Sequence, residues 1–326
     1  MQSFKEQLRR KWNERKFLCI GLDTEFNKIP QFMQGPPGKS ILNFNQVIVE
    51  ATSDLAGAYK LNTAFYEAYG SEGNEALRDT IFFIRSKTTV PVILDYKRGD
   101  IGNTNLGYIQ AAFDYFKADA ITINGYLGQE AVQPFLDQKD KGVIVLCLTS
   151  NPGAEEFQYR KIVCSNDEFY ELIDEVTHGN IINAHHIQQE LGWKRITGEG
   201  DSEERFLIPF YQYVALRVAR HWNQHNNCLL VAGAPHAGDI KKLRLLVPYM
   251  PFLIPGVGVQ QKSVSLDDQI KLVVKAAQDK NGENFIINAS RSIIFASNER
   301  DFPAAARHQA EVMHNLIKRY QNERIG

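Results

Sequence analysis

The sequence lacks any apolar run of about 18 residues, the length needed to cross a bilayer, although 44% of its 326 residues are hydrophobic. It also has almost no net charge, since 37 basic and 38 acidic side chains leave −1 at neutral pH. That balance provides no general attraction to nucleic acid or to an anionic membrane, so any anion site must be local. Cysteine is scarce. Cys19, Cys147, Cys164 and Cys228 form no close pair, which argues against a disulfide framework or zinc ligands and for a reducing, cytoplasmic setting. Low-complexity linkers are missing as well, and a single domain over 1–326 is expected. The opening segment, MQSFKEQLRRKWNERKF, reads as a charged amphipathic helix without the apolar stretch of a secretory signal.

What is present is a repeated unit. Short apolar runs recur at 17–23, 55–62, 90–97, 119–125, 142–150, 227–234, 251–258 and 284–290. Near-continuous apolar runs of this length suit strands buried on both faces, hence parallel ones. Helix-length segments separate them, at 72–87, 104–117, 205–226, 265–279 and 303–322 among others. Eight such alternations predict a (β/α)8 barrel with an N-terminal helix; a doubly wound open sheet is the alternative arrangement. The spacing after the fifth run is longer than one crossover helix needs, and 178–203 is expected to be an insertion over the active face or a subunit contact.

Polar residues collect where these runs end. Asp23, Lys60, Asp95, Lys97, Asn124, Ser150, Gln260 and Arg291 all stand at or just after predicted strand ends, the side of such a barrel that carries chemistry. The segment PVILDYKRGDIGNT leads from apolar strand directly into Asp95, Lys97, Arg98 and Asp100. Asp95 and Lys97 are two apart, so on a regular strand they point the same way. With Lys60 from the neighbouring strand and Asp100 in the glycine-containing turn three residues after Lys97, they complete an alternating Lys–Asp–Lys–Asp array. Such charges are costly to bury unless each has an opposite partner, and pairing rarely improves on apolar packing for stability, so function is the better account.

Several weaker signals lead nowhere. GPPGKS at 35–40 lacks both the earlier glycine and the preceding strand of a phosphate-binding loop. NAS at Asn288 falls within a core strand rather than on a glycosylated surface. His185 and His186 match no metal-site spacing, and no metal is expected.

LDYKRGDIGNT resembles the D-x-K-x-x-D-I-x-x-T signature of orotidine 5′-phosphate decarboxylase, in its longer microbial (type 2) subfamily. CIGLD, YKLNTAFYEAYG, TSNPGA, PFLIPGVGVQ and INASRSI are similar to further segments of that family, in order, from about residue 17 to 296. The resemblance implies conversion of orotidine 5′-monophosphate to uridine 5′-monophosphate in pyrimidine biosynthesis, without cofactor, in a homodimer. It implies a catalytic set of Lys60, Asp95, Lys97 and Asp100, with Lys97 protonating C6 as carbon dioxide leaves. Asp100 and Thr104 would enter the partner's site. Asp23 would meet ribose hydroxyls, Ser150 the pyrimidine edge, Asn124 the pocket wall near the sugar, and Arg291 the 5′-phosphate. Gln260 would bridge base and phosphate. Gln261 and Lys262 stand where the family commonly has glycines, which restricts the loop. A magnesium-dependent sugar-phosphate decarboxylase of the same barrel group, or a non-catalytic nucleotide-binding relative, are the alternatives.

Overall fold

All eight apolar runs become strands, and they close on themselves. The computed structural model describes residues 2–177, 181–197, 204–258 and 264–322. Its described strands are β1 (Leu18–Gly21), β2 (Ala56–Asn62), β3 (Val92–Arg98), β4 (Ala120–Ile123), β5 (Gly142–Leu148), β6 (Lys161–Ser165), β7 (Lys194–Thr197), β8 (Glu204–Pro209), β9 (Cys228–Ala232), β10 (Phe252–Pro255) and β11 (Phe285–Ala289). Eight of them form a closed parallel barrel in the order β1-β11-β10-β9-β5-β4-β3-β2. Helices such as Gly70–Lys87, Leu266–Ala277 and Phe302–Asn322 return the chain between strands or pack outside. β1, β4, β9 and β11 are buried along their whole length, which is why their sequences run apolar without alternation. The four cysteines are free and buried. No described helix is long and apolar enough to cross a membrane.

The N-terminal helix Phe4–Asn13 closes one end of the barrel. Ser3 and Glu6 form a capping box at its start, and its apolar face buries Phe4, Leu8 and Trp12. Charged residues on its other face explain why the sequence reads as amphipathic.

Between β5 and β9 lies extra structure. β6, β8 and β7 form an antiparallel sheet in that order, covered by the helices Asn166–Thr177 and Ile181–Leu191. Phe169 stacks on Phe206 with ring centroids 3.6 Å apart, and Trp193 meets Phe169 edge-on. This sheet begins at Lys161 and ends at Pro209, on either side of the expected insertion; residues 178–180 and 198–203 lie outside the described residues. The segment 205–209, expected to open a helix, is strand instead. Its Phe206 and Ile208 face inward while Arg205 stays exposed, an alternation with period two, and the helix begins only at Phe210.

Tyr159 and Tyr211 tie this region to the barrel by donating to the carboxylate of Asp239 at 2.6 and 3.0 Å. Away from the mouth, the Arg244 guanidinium is anchored by five carbonyl oxygens. It donates to Ala277, Val247, Pro248, Met250 and Asn284 and lies 4.0 Å from the centre of the Phe252 ring.

Candidate active site

Strand register decides which side chains can meet at the C-terminal mouth of the barrel. Gly21 of β1 lies beside Lys60 of β2, and Asn62 of β2 lies beside Asp95 of β3. Asp23, two residues past Gly21, therefore overhangs Lys60 from one side while Asp95 approaches from the other. The result is a continuous chain of alternating charge. Lys60 Nζ is 3.4 Å from Asp23 Oδ1 and 2.8 Å from Asp95 Oδ2; Lys97 Nζ is 2.6 Å from Asp95 Oδ1.

The burial of these groups is graded. The Lys60 side chain is 4% exposed, Asp95 12%, Asp23 16% and Lys97 48%. Burial alone disfavours the Lys60 ammonium, but the Asp23 and Asp95 carboxylates outweigh it and hold Lys60 above the usual lysine range. Asp95 shows the mirror image: burial opposes its charge, while Lys60 and Lys97 keep it well below the usual carboxylate range. Both groups are thus charged at neutral pH. Beneath them, burial pushes the Cys19 thiol up to about 12, so it remains uncharged.

The supports of this chain come from strands far apart in sequence. Asp23 Oδ2 accepts from Ser290 Oγ at 2.8 Å, and its Oδ1 accepts the Asn62 amide at 3.3 Å. Gly21 is required for that arrangement, because a Cβ there would come within 1.9 Å of Ser290 Oγ. Asp95 Oδ1 also accepts from Thr122 Oγ1 of β4 at 2.9 Å. β3 is not regular at this point: its register against β4 shifts between Leu94 and Arg98, and Lys97 has φ +47°. A bulge of this kind redirects a side chain. Asp95 and Lys97 meet across it, whereas the two-residue spacing predicted plain same-side projection.

The other expected residues are placed as follows. Ser150 follows β5 and is half-buried, its backbone so close to β9 that a Cβ at Gly233 would come within 2.7 Å of Ser150 Cα. Asn124 is exposed beyond β4; its amide donates to the Arg98 carbonyl at 2.8 Å and its Oδ1 accepts the Tyr126 amide at 3.1 Å. Arg291 begins the short helix Arg291–Ile294 after β11; its carbonyl accepts the Phe295 amide at 3.2 Å, and its exposed guanidinium has no hydrogen bond or ion pair among the described residues. Asp100, expected as the fourth member of the array, does not join the charge chain: its Oδ1 accepts the Ile101 amide at 2.7 Å. Thr104 is exposed on the helix Gly102–Ile109. Gln260, Gln261 and Lys262 lie outside the described residues.

Thr122, Ser290 and Asn62 are the participants that sequence reasoning missed. A threonine inside an apolar strand reads as ordinary β-propensity. Ser290 stands next to Arg291, and Asn62 ends the apolar run 55–62; position at a strand end is the signal for both.

Fold and mouth together define a (β/α)8-barrel enzyme whose polar centre is built from paired amines and carboxylates. Residues 16–197 match the model of the Orotidine 5′-phosphate decarboxylase / HUMPS family. An orotidine 5′-phosphate decarboxylase of Cellvibrio japonicus is 37% identical over 308 residues, 94% of each chain. Among solved structures, the OMP decarboxylase of Leishmania donovani is 28% identical with a TM-score of 0.70, covering 97% of this chain and 99% of that one. UMP synthase of Leishmania donovani gives 29% identity and a TM-score of 0.73, with 98% of this chain covered but only 57% of the synthase. The chain belongs to the orotidine 5′-phosphate decarboxylase / HUMPS family.

Proposed function

We propose that this protein converts orotidine 5′-monophosphate to uridine 5′-monophosphate and carbon dioxide. The observation that carries this reading is the Asp23–Lys60–Asp95–Lys97 chain at the barrel mouth. Cleavage of the bond between C6 and its carboxylate leaves the electron pair on C6, a ring carbon with no adjacent acceptor to delocalise it. An ammonium held beside that carbon stabilises the forming charge and then supplies the proton. Lys97 has this role: it is the more accessible of the two amines and hangs from the bulge on Asp95. Lys60, locked between two carboxylates, keeps Asp95 ionised and in place. Catalysis then rests on charges fixed before substrate arrives, with no added cofactor, in the cytoplasm.

Binding roles follow from position. Asp23 takes the ribose hydroxyls, Asn124 lines the pocket near the sugar, and Ser150 meets the pyrimidine edge. Arg291, whose guanidinium has no partner among the described residues, takes the 5′-phosphate, a group suited to its planar donor fork, with Gln260 bridging base and phosphate. The chain works as one barrel domain, 1–326, carrying its insertion around 178–203, and it pairs with a second copy. Asp100 and Thr104 then complete the neighbour's site. Support for pairing comes from Ile101, Leu106, Tyr126 and Leu127, large apolar side chains left exposed around Asp100 and Thr104, a kind of patch that marks interfaces.

The test is direct. Purified protein stripped with a chelator is mixed with orotidine 5′-monophosphate and the fall in orotidylate absorbance is followed. Turnover is expected to survive stripping; a stripped protein that regains activity only with magnesium, or one that binds a uridylate analogue without turnover, would overturn the reading.

A further inference from the structure

The bulge in β3 raises the question of where its backbone hydrogen bonds go. Leu94 lies opposite Ile121 and Arg98 opposite Ile123, so β3 spends three residues where β4 spends one. That one residue is Thr122, with 1% exposure. Its Oγ1 accepts the amides of both Tyr96 and Lys97, each at 2.9 Å, and donates to Asp95 Oδ1, also at 2.9 Å. A hydroxyl has one hydrogen and two lone pairs, so these three bonds exhaust it. Its hydrogen has one place to go, the carboxylate.

We propose that Thr122 is a positioning residue for the reaction, setting the angle at which Asp95 and Lys97 face the reacting carbon. The inference rests on the decarboxylase reading above. Three consecutive residues, Asp95 to Lys97, are fastened to one oxygen, and the first and last of them are the reacting pair. Lys97 holds a left-handed backbone conformation that a residue with a Cβ avoids unless its surroundings impose it. The bond from Thr122 to the Lys97 amide is part of that imposition. Because the two amides take both lone pairs, the remaining proton is directed at Asp95, so the same oxygen that holds the bulge also fixes the carboxylate. The neighbours of Thr122 on β4 are Ala120, Ile121 and Ile123, so valine would satisfy the strand as well as threonine does.

The experiment compares Thr122→Val, Thr122→Cys and Thr122→Ser in the full-length protein. It measures kcat, KM, the dissociation constant of uridine 5′-monophosphate and the melting temperature. Valine keeps the shape and removes all three bonds. It should lower kcat about 100-fold, the scale of a misplacement near 1 Å, while product affinity changes less than about fivefold because base and phosphate contacts are untouched. Serine restores the oxygen and should recover kcat to within about threefold. If the valine protein does not fold, cysteine decides, since its thiol fills similar space but is a weak acceptor; it should show the same kcat loss. Wild-type kcat in the valine or cysteine protein overturns the inference, as does equal loss of kcat and product affinity, the mark of a purely structural role. A wild-type protein with no turnover of orotidylate would instead sink the decarboxylase reading itself.

Discussion

Lys60 Nζ stands 2.8 Å from Asp95 Oδ2, two opposite charges on adjacent strands, with little of either side chain reaching solvent. A buried pair of this kind adds little stability over apolar packing, yet removal of one partner is expensive because the other is left uncompensated. The two lysines of the mouth should therefore respond differently to truncation.

Lys97→Ala should leave the fold intact, since the lysine is about half exposed and exposed ion pairs contribute at most about 1 kcal/mol. Its kcat should fall by about ten-thousand-fold, the upper range for loss of a general acid. Lys60→Ala should lose activity and also about 3–5 kcal/mol of stability. Thermal melts and orotidylate assays on both variants check the contrast, and equal stability losses would contradict the burial gradient.

Acid stability should report on Asp95. Its folded pKa is depressed, so its contribution is present above the ordinary carboxylate pKa of about 3.9 and is lost as pH falls through and below that value. For this group the slope can reach about 1.4 kcal/mol per pH unit. Asp95→Asn should be less stable than wild type at pH 7, and the gap between them should narrow on acidification. Melting temperatures between pH 7 and pH 3 provide the measurement. Lys60 has the opposite sign: its pKa is raised, so its contribution persists below the ordinary lysine value of about 10.4 and is lost only as pH climbs past its folded one.

Mixing Lys97→Ala and Asp100→Ala proteins, each inactive alone, should restore about one quarter of wild-type activity. Random exchange makes half the dimers mixed, and each mixed dimer holds one site with both residues intact. Activity that stays at the level of the separate variants after exchange is verified would place Asp100 in its own subunit's site.

Arg291→Ala should lower kcat/KM about 100-fold, the cost of losing a charge-assisted contact to phosphate. The effect should shrink on orotidine lacking the phosphate. Equal losses on both substrates would remove Arg291 from the phosphate site.

Arg244→Met should cost about 3 kcal/mol or more, because five carbonyl oxygens lose a charged donor at once. Activity at low temperature should be unchanged, since Arg244 lies away from the mouth. Denaturant titration beside an assay in the cold separates the two effects.

The barrel was legible because parallel strands buried on both faces leave uninterrupted apolar runs, and charges ending such runs stand out. Asp23, Lys60, Asp95 and Lys97 were found by that contrast alone. The bulge at Lys97 was not legible: a strand reading assumes period two, and no glycine marks the left-handed residue. Thr122 was hidden for a related reason, since its hydroxyl has meaning only beside the amides that the bulge releases. The strand at Glu204–Pro209 was missed because its pairing partners, β6 and β7, are remote in sequence, and because the apolar run continues without a break into the helix from Phe210.

The bond from Ser290 to Asp23 joins residues 267 positions apart, across the seam where β1 meets β11. During synthesis, then, Asp23 leaves the ribosome long before the hydroxyl that steadies it. A nascent chain halted before Ser290 can carry both lysines and still have no working pocket. Competence arrives late, when the final staves of the barrel are fitted.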